Sequence, residues 1–149
     1  SKLNPPLRSE EDRMSIIEGI CDGTIDAISS DHTPQDQDAK RLPFNQAEFG
    51  GVGLETLLPL ALSLVKNKYM NIEEVLKLIT INPAKILNLD IGTVNEKSEA
   101  DISVFDSSTP WKVNPESFFG KSKNSPFDGM LVEGKNLMTF VRGRLVYKL

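Results

Sequence analysis

The first third of the chain carries a helical hydrophobic pattern followed by one short apolar run. Hydrophobic residues recur at helical spacing between Ser9, a good N-cap residue, and Gly23, a typical C-terminal glycine. Residues 25–30 are then expected to form a strand that ends at Asp31. This order of helix, strand and acid is that of one half of a βαβ unit.

The middle of the chain is polar and then helical. Residues 31–50 lack periodicity and are predicted to form a long loop, and loops of this length tend to be functional. A helix is expected over residues 54–66, and Asn71 is expected to cap another. Asn82, followed by a proline, predicts the N-cap of a further short helix.

The pattern changes to short strands near residue 90. We therefore predict a boundary there, with an α/β part over residues 1–90 and a β-rich part over residues 91–149. A hairpin is expected about Arg142-Gly143. The predicted strands cover residues 101–106, 130–132, 137–141 and 144–147.

Composition narrows the classes of protein. The chain has 149 residues and a net charge of -4, which argues against binding to nucleic acid or to an anionic membrane surface. No apolar run approaches the roughly 20 residues needed to span a bilayer. The single cysteine, Cys21, excludes an internal disulfide, fits the cytoplasm, and is expected to be a buried thiol on a helix face.

One predicted parallel strand does not make a sheet, because such a strand needs neighbours on both sides. We therefore expect the chain to be the C-terminal part of something longer. The alternative is a complete chain that dimerises to supply the missing strands. In either case an exposed sheet edge favours self-association.

Asp31 is the strongest candidate for chemistry. An acid at the C-terminal end of a barrel strand is where α/β barrels place catalytic carboxylates, although such a residue can also simply form a turn. Its neighbour His32 is the only histidine, so the chain does not complete a metal site. His32 is expected to act as a hydrogen-bonding residue of the loop.

Several short motifs occur in a fixed order. They are Asn-Pro-Pro-Leu-Arg at 4–8, Ser-Asp-His-Thr-Pro at 30–34, Ala-Asp-Ile at 100–102, Asn-Ser-Pro-Phe at 124–127 and Val-Arg-Gly at 141–143. Together they resemble the C-terminal part of dihydroorotases, over essentially the whole chain. The third and fifth motifs indicate only the amidohydrolase superfamily, whereas the first and fourth narrow the resemblance to the longer, bacterial type.

The resemblance implies a fold, a reaction and a cofactor. The fold class is α/β: residues 1–90 would be the end of a metal-dependent (β/α)8 barrel, and residues 91–149 a segment of the flanking β-sandwich. The parent would be a zinc enzyme of pyrimidine biosynthesis that reversibly hydrolyses L-dihydroorotate to N-carbamoyl-L-aspartate. The 149-residue chain alone is expected to hold no zinc and to be inactive.

The resemblance also assigns roles to residues. Asp31 would be a metal ligand, together with upstream ligands, and the general base. Asn4 and the backbone of Phe49 and Gly50 would bind the substrate ring. Gln35 occupies the position where active family members have a histidine that grips the substrate carboxylate, and glutamine offers only a neutral hydrogen bond there.

Two alternatives stay open at this point. The parent could be a non-catalytic dihydroorotase homologue that serves as a structural partner of aspartate transcarbamoylase, since Gln35 and the acidic loop after it resemble that branch equally well. A different cyclic amidase, such as a hydantoinase or allantoinase relative, is a weaker option because of the motif at 4–8.

Overall fold

The computed structural model describes residues 2–149, and its α-helices lie in the first 90 positions. A 3-10 turn at Leu54–Thr56 precedes the third helix. The helices are α1 (Glu10–Cys21), α2 (Gln37–Arg41), α3 (Leu57–Lys66), α4 (Ile72–Ile79) and α5 (Ile81–Ile86).

Capping boxes begin α1 and α4, and their N-cap residues, Ser9 and Asn71, are the ones that the sequence predicts. At α1 the Ser9 hydroxyl accepts the Asp12 N–H at 3.1 Å, and the Asp12 carboxylate accepts the Ser9 N–H at 3.2 Å. The Asn71 and Glu74 pair repeats this arrangement at α4, with distances of 3.0 and 2.9 Å. Each pair satisfies two N–H groups that a helix start would otherwise leave without partners.

The segment over residues 25–30 pairs with no strand among residues 2–149, so its place in a barrel sheet stays a prediction. Its N–H groups turn to helices instead. Ile25 donates to the Gly19 carbonyl at 2.8 Å, and Ile28 donates to the Leu78 carbonyl at 2.9 Å. Without a neighbouring strand there is no ladder for this segment to join.

Three helix predictions need correction. The stretch 31–50 is not irregular throughout, because it contains α2. Asn82 is not an N-cap: α5 begins after Thr80, and the Asn82 amide donates to the Asp26 carbonyl at 2.8 Å instead. The helix predicted over 54–66 is split, and Pro59 lies in the first turn of α3, where its missing N–H interrupts no helical bond.

Cys21 is exposed rather than buried. The buried stripe of α1 runs through Ile17 and Ile20. Cys21 is the last residue of the helix, and its Sγ lies 3.7 Å from the Tyr69 carbonyl oxygen. The helix therefore ends before its final residue reaches the core.

A three-stranded antiparallel sheet follows, in the order β1 (Ile102–Lys112), β2 (Leu131–Val141) and β3 (Arg144–Lys148). Strand β2 is continuous where the sequence predicts two strands. The hairpin at Arg142-Gly143 is confirmed, with φ of 49° and 73° at its two central residues.

Two hydrophobic clusters hold these elements. One joins α1, α3 and α4, and Val75 at its centre is fully buried. The other packs Val52 against the β-rich part, so a residue before position 90 contributes to a core after it. The second cluster comprises Val52, Val113, Phe118 and Val132. The division at residue 90 stays a prediction.

Membrane-spanning helices are absent from the described residues 2–149, since none of the helices there is both long and apolar enough.

Val75→Ala tests the helical cluster. Removing two methyl groups from a side chain with 0% exposure should lower the free energy of unfolding by about 2 kcal/mol. Urea unfolding followed by circular dichroism measures the change. Lys77→Ala, at an exposed site of the same helix, is the control and should stay within about 0.5 kcal/mol of the parent.

Asp106 predicts an acid sensitivity of the β-rich part. Hydrogen bonds from the Ser108 and Thr109 N–H groups and the Ser108 hydroxyl lower the pKa of its carboxyl group to about 2. A lowered pKa stabilises the fold above the ordinary value of 3.8, and this contribution is lost as the pH falls through about 2. Asp106→Asn should flatten the decline of the urea midpoint between about pH 4 and about pH 2.

The control for this measurement is Asp128→Asn, which changes an exposed carboxylate with no hydrogen-bond partner among residues 2–149. This variant should keep the parent's decline. An equal flattening in both variants would contradict the assignment to Asp106.

Candidate active site

Asp31 lies in a left-handed turn directly after the 25–30 segment. Its φ is 44°, a conformation that aspartate tolerates better than most residues. The Thr33 hydroxyl donates to the Asp31 carbonyl at 3.2 Å and supports the turn. Within the described part of the chain, the exposed carboxylate accepts no hydrogen bond and forms no ion pair. The turn therefore presents a carboxylate that is free to meet a ligand.

His32 is a hydrogen-bonding residue of the loop, as expected. Its Nδ1 accepts the Gly53 N–H at 3.2 Å, so in the neutral ring the proton lies on Nε2. The ring also lines a cavity of about 620 Å³, together with Gln35, Asp36 and Lys121. His32 thus connects the start of the loop over residues 31–50 to Gly53, which lies just beyond its end.

Gln35 joins three segments. Its side-chain amide donates to the Phe49 carbonyl at 2.8 Å, and its own carbonyl accepts the Ser122 hydroxyl at 2.7 Å. Its N–H donates to the Asn124 side-chain oxygen at 3.4 Å. The amide that would replace a carboxylate-binding histidine is therefore engaged with backbone.

Gly50 occupies a position that only glycine fits. Its φ is 118°, and a Cβ there would lie 2.5 Å from the Thr33 carbonyl oxygen. The Thr33 N–H donates to the Gly51 carbonyl at 2.9 Å, and the Gly50 N–H donates to the Lys2 carbonyl at 3.1 Å. The two sides of the loop touch here without room for a side chain.

The N–H groups on either side of Gly50 are available. Those of Phe49 and Gly51 donate to no acceptor among residues 2–149, although Gly51 itself is buried. Buried N–H groups are nearly always paired in native proteins. An unpaired donor at Gly51 therefore fits a segment that binds a ligand through its backbone.

Asn4 is the predicted site residue that the structure does not connect directly. Its side chain is exposed and makes no hydrogen bond with residues 2–149. Lys2, two residues earlier, links the segment to Gly50. Among the predicted site residues, a hydrogen bond joins Gln35 to Phe49, the residue before Gly50. The functional roles of all five residues stay predictions.

Two residues of this site had no predicted role. The Asn124 amide donates to the Gly50 carbonyl at 3.2 Å, and its side-chain oxygen lies against Gln35 N–H and the Ser122 hydroxyl. The Lys40 ammonium reaches the Gly50 carbonyl as well. The motif at 124–127 was a signal for Asn124, whereas Lys40 stands in a polar stretch that gives none.

The residues of this chain do not fit a catalytic zinc by themselves. Groups of three or more His, Cys, Asp or Glu side chains able to hold a metal are absent from residues 2–149. Asp31 offers one carboxylate, and His32 has committed Nδ1 to the loop. Catalytic zinc usually takes three protein ligands. The expectation that the isolated chain holds no zinc stays a prediction.

Comparison with known proteins places the chain in a family. The profile of the amidohydrolase family matches residues 3–146, so the chain belongs to the amidohydrolase family and that prediction is confirmed. Within the family, the chain is similar to dihydroorotases. It is 47% identical to that of Anaplasma phagocytophilum over 148 residues and 44% identical to that of Wolbachia sp. subsp. Drosophila simulans over 147 residues. Each match covers 99% of this chain and 33% of the relative, so the chain spans about a third of their length.

Solved structures agree in fold. An L-hydantoinase from Arthrobacter aurescens is 34% identical, with a TM-score of 0.90 over 99% of this chain and 34% of that protein. A dihydropyrimidinase from Brevibacillus agri superposes with a TM-score of 0.92 over 99% of this chain and 33% of that protein. Its 23% identity supports the shared fold alone.

Gly50→Ala tests the contact on which the site rests. The added methyl group would meet the Thr33 carbonyl, and the backbone would be strained, so we expect the free energy of unfolding to fall by about 2–4 kcal/mol. Gly143→Ala is the matched control, because its φ of 73° is strained but its surroundings are open. The free energy of unfolding of the control, measured by urea unfolding, should fall by about 1 kcal/mol. Equal losses in the two variants would disprove the close contact.

Proposed function

We propose that this chain is part of a dihydroorotase that reversibly hydrolyses L-dihydroorotate to N-carbamoyl-L-aspartate, a step of pyrimidine biosynthesis. The observation that carries the proposal is the free Asp31 carboxylate, in a left-handed turn of the same loop that holds the unpaired N–H groups beside Gly50. The 44–47% identity to dihydroorotases supports the substrate.

The proposed roles follow from the chemistry of a cyclic amide. Hydrolysis forms a bond from water oxygen to the carbonyl carbon and breaks the carbon–nitrogen bond. Asp31 takes the proton from water and delivers it to the leaving nitrogen, as a general base and then a general acid. The Asn4 amide and the free N–H groups of Phe49 and Gly51, on either side of Gly50, can hydrogen-bond the polar atoms of the ring.

Zinc belongs to the proposal for the whole protein only. Amidohydrolases and dihydroorotases are generally metal-dependent, and Asp31 would supply one ligand. The other ligands are assigned to residues outside this chain. Because residues 2–149 do not complete the site, no step of the reaction is routed through the metal here.

Asp31→Asn in the full-length protein is the direct test. Turnover of L-dihydroorotate should fall about 100-fold or more, because asparagine neither accepts nor delivers the proton. Asp90→Asn, which changes an exposed carboxylate beyond α5, should leave turnover unchanged. The loss of ring absorbance in the ultraviolet measures the rate. Undiminished turnover in Asp31→Asn would sink the proposed role.

The same assay separates the rival substrates. Hydantoin and dihydrouracil are the cyclic amides suggested by the name of the Arthrobacter aurescens relative, an L-hydantoinase (dihydropyrimidinase). Hydrolysis of either one, with none of L-dihydroorotate, would reassign the substrate while keeping the reaction class.

Gln35 favours a second candidate function. A neutral amide stands where the resemblance places a cationic ligand for the substrate carboxylate, and that amide is bound to the Phe49 carbonyl. We propose as the alternative a non-catalytic homologue that assembles with aspartate transcarbamoylase. Absence of zinc and of turnover in the full-length protein, together with co-elution with the transcarbamoylase on size-exclusion chromatography, would establish it.

Gln35→His distinguishes the two candidates. In an active protein, a protonated imidazole should lower the KM for L-dihydroorotate about 3–10-fold with little change in kcat. The gain should be present at about pH 5.5 and disappear by about pH 8, because histidine loses its charge near pH 6.5. Gln46→His, at an exposed position of the same loop, is the control. A gain that persists at the higher pH would contradict the charge argument.

A further inference from the structure

We propose that Lys40 is a positioning residue of the substrate site. Its ammonium holds together the two backbone segments that carry the proposed ring-binding groups, the one that leads to Asn4 and the one at Phe49–Gly50. This inference rests on the proposed function, because the groups in question are those proposed to bind L-dihydroorotate. Lys40 itself would not touch the substrate.

The ammonium of Lys40 is fully used by backbone. Nζ donates to the carbonyls of Lys2 at 3.1 Å, Glu48 at 2.8 Å and Gly50 at 2.9 Å. A lysine has three N–H donors and no acceptor, so these three bonds exhaust its capacity. In the described part of the chain Lys40 forms no ion pair with a carboxylate. A lysine on a solvated face would instead leave its donors to water.

The three carbonyls come from two distant parts of the chain, which the Gly50 N–H also joins through its bond to the Lys2 carbonyl. Lys2 lies 46 positions before Glu48, and their carbonyls face the same cation. Carbonyl oxygens that converge repel one another and lose hydration, unless a donor satisfies them. The half-buried ammonium of Lys40 supplies that donor and a positive charge.

The short helix α2 holds the base of the lysine in place. The Asp36 carboxylate caps the helix by accepting the Asp38 N–H at 2.7 Å. The Ala39 carbonyl accepts the Glu48 N–H at 3.2 Å, one residue before Lys40 along the chain. The helix is thus anchored to the 48–50 segment both through its backbone and through the lysine side chain.

The bonds that Lys40 makes leave the ligand-binding donors free. The Gly50 carbonyl is occupied by Lys40 and by the Asn124 amide at 3.2 Å, and the Gly50 N–H is bound to Lys2. With these groups satisfied, the N–H groups of Phe49 and Gly51 are the ones in this segment without an acceptor among residues 2–149. Lys40, together with Asn124 and Lys2, therefore holds the peptide groups around Gly50 in the orientation that leaves these two N–H groups free.

Lys2 makes a separate contribution at the same loop. Its own ammonium donates to the Ala47 carbonyl at 2.7 Å and lies 4.5 Å from the centroid of the Phe49 ring. Only its backbone carbonyl belongs to the Lys40 cluster. A substitution at Lys40 therefore removes the three-carbonyl cluster without removing the Lys2 side-chain contacts.

The first test is Lys40→Met in the full-length protein, because methionine has a similar length and no donor. We expect the KM for L-dihydroorotate to rise about tenfold or more, while kcat changes less than about threefold, because ring binding and not proton transfer is disturbed. The matched control is Lys77→Met, at an exposed lysine of α4 whose side chain makes no hydrogen bond among residues 2–149, which should keep both constants.

A chemical rescue tests whether the ammonium group of Lys40 is the part of the side chain that matters. Lys40→Cys in a Cys21→Ser background is treated with 2-bromoethylamine: the thiolate displaces bromide and forms a carbon–sulfur bond, leaving an ammonium at nearly the length of lysine. Iodoacetamide gives an uncharged arm at the same sulfur, with iodide as the leaving group. The aminoethyl arm should restore KM to within about threefold of the parent, and the amide arm should not. The Cys21→Ser protein treated with each reagent is the control for other thiols.

The outcomes separate this inference from the proposed function. A parent protein without turnover of L-dihydroorotate overturns the proposed function and this inference with it. An active parent whose KM is unchanged in Lys40→Met overturns this inference alone. The same holds if the aminoethyl arm rescues no better than the amide arm, and this comparison decides the matter even if Lys40→Met fails to fold.

Discussion

The close approach of Gly50 to Thr33 is the constraint on which the candidate site depends. The Thr33 carbonyl occupies the space that any Cβ at Gly50 would need, and the Thr33 N–H is bound to the next residue, Gly51. Because the two sides of the loop touch at this point, Gln35 is brought within hydrogen-bond distance of Phe49. A side chain at Gly50 would push these partners apart. The contacts of the loop therefore require a residue without a Cβ atom at this position.

Where a structure is decided by neighbours in sequence, the amino-acid pattern predicts it well. The starts of α1 and α4 depend on pairs three residues apart, Ser9 with Asp12 and Asn71 with Glu74, and the sequence predicts the N-cap residue of each pair. A strand over residues 25–30 depends instead on a second strand beside it, and residues 2–149 supply none, so this part of the pattern stays a prediction. The predicted N-cap role of Asn82 is wrong for a similar reason, because its side-chain amide donates to the carbonyl of Asp26, a residue 56 positions away.

The residues of the candidate site can be divided in the same way, into those that short motifs identify and those that only the folded structure reveals. Motifs identify Asp31, Asn4, Gln35, Phe49 and Gly50. In the structure Gln35 donates to Phe49, and Asn124 donates to Gly50. Lys40 was not found, since a lysine among polar residues reads as part of a solvated surface. Its importance depends on three carbonyls that converge only after the chain has folded.

Val52 gives the loop a second kind of attachment. Its side chain is buried with Val113 and Val132 of the β-rich part, and its N–H donates to the Asn124 carbonyl at 3.1 Å. The helical part and the sheet are therefore not interchangeable modules. In a chimera that takes residues 91–149 from a homologue, the new β-rich part would have to pack against Val52 as Val113 and Val132 do. Recombination between family members should therefore succeed only where Val52 and its packing partners are inherited together.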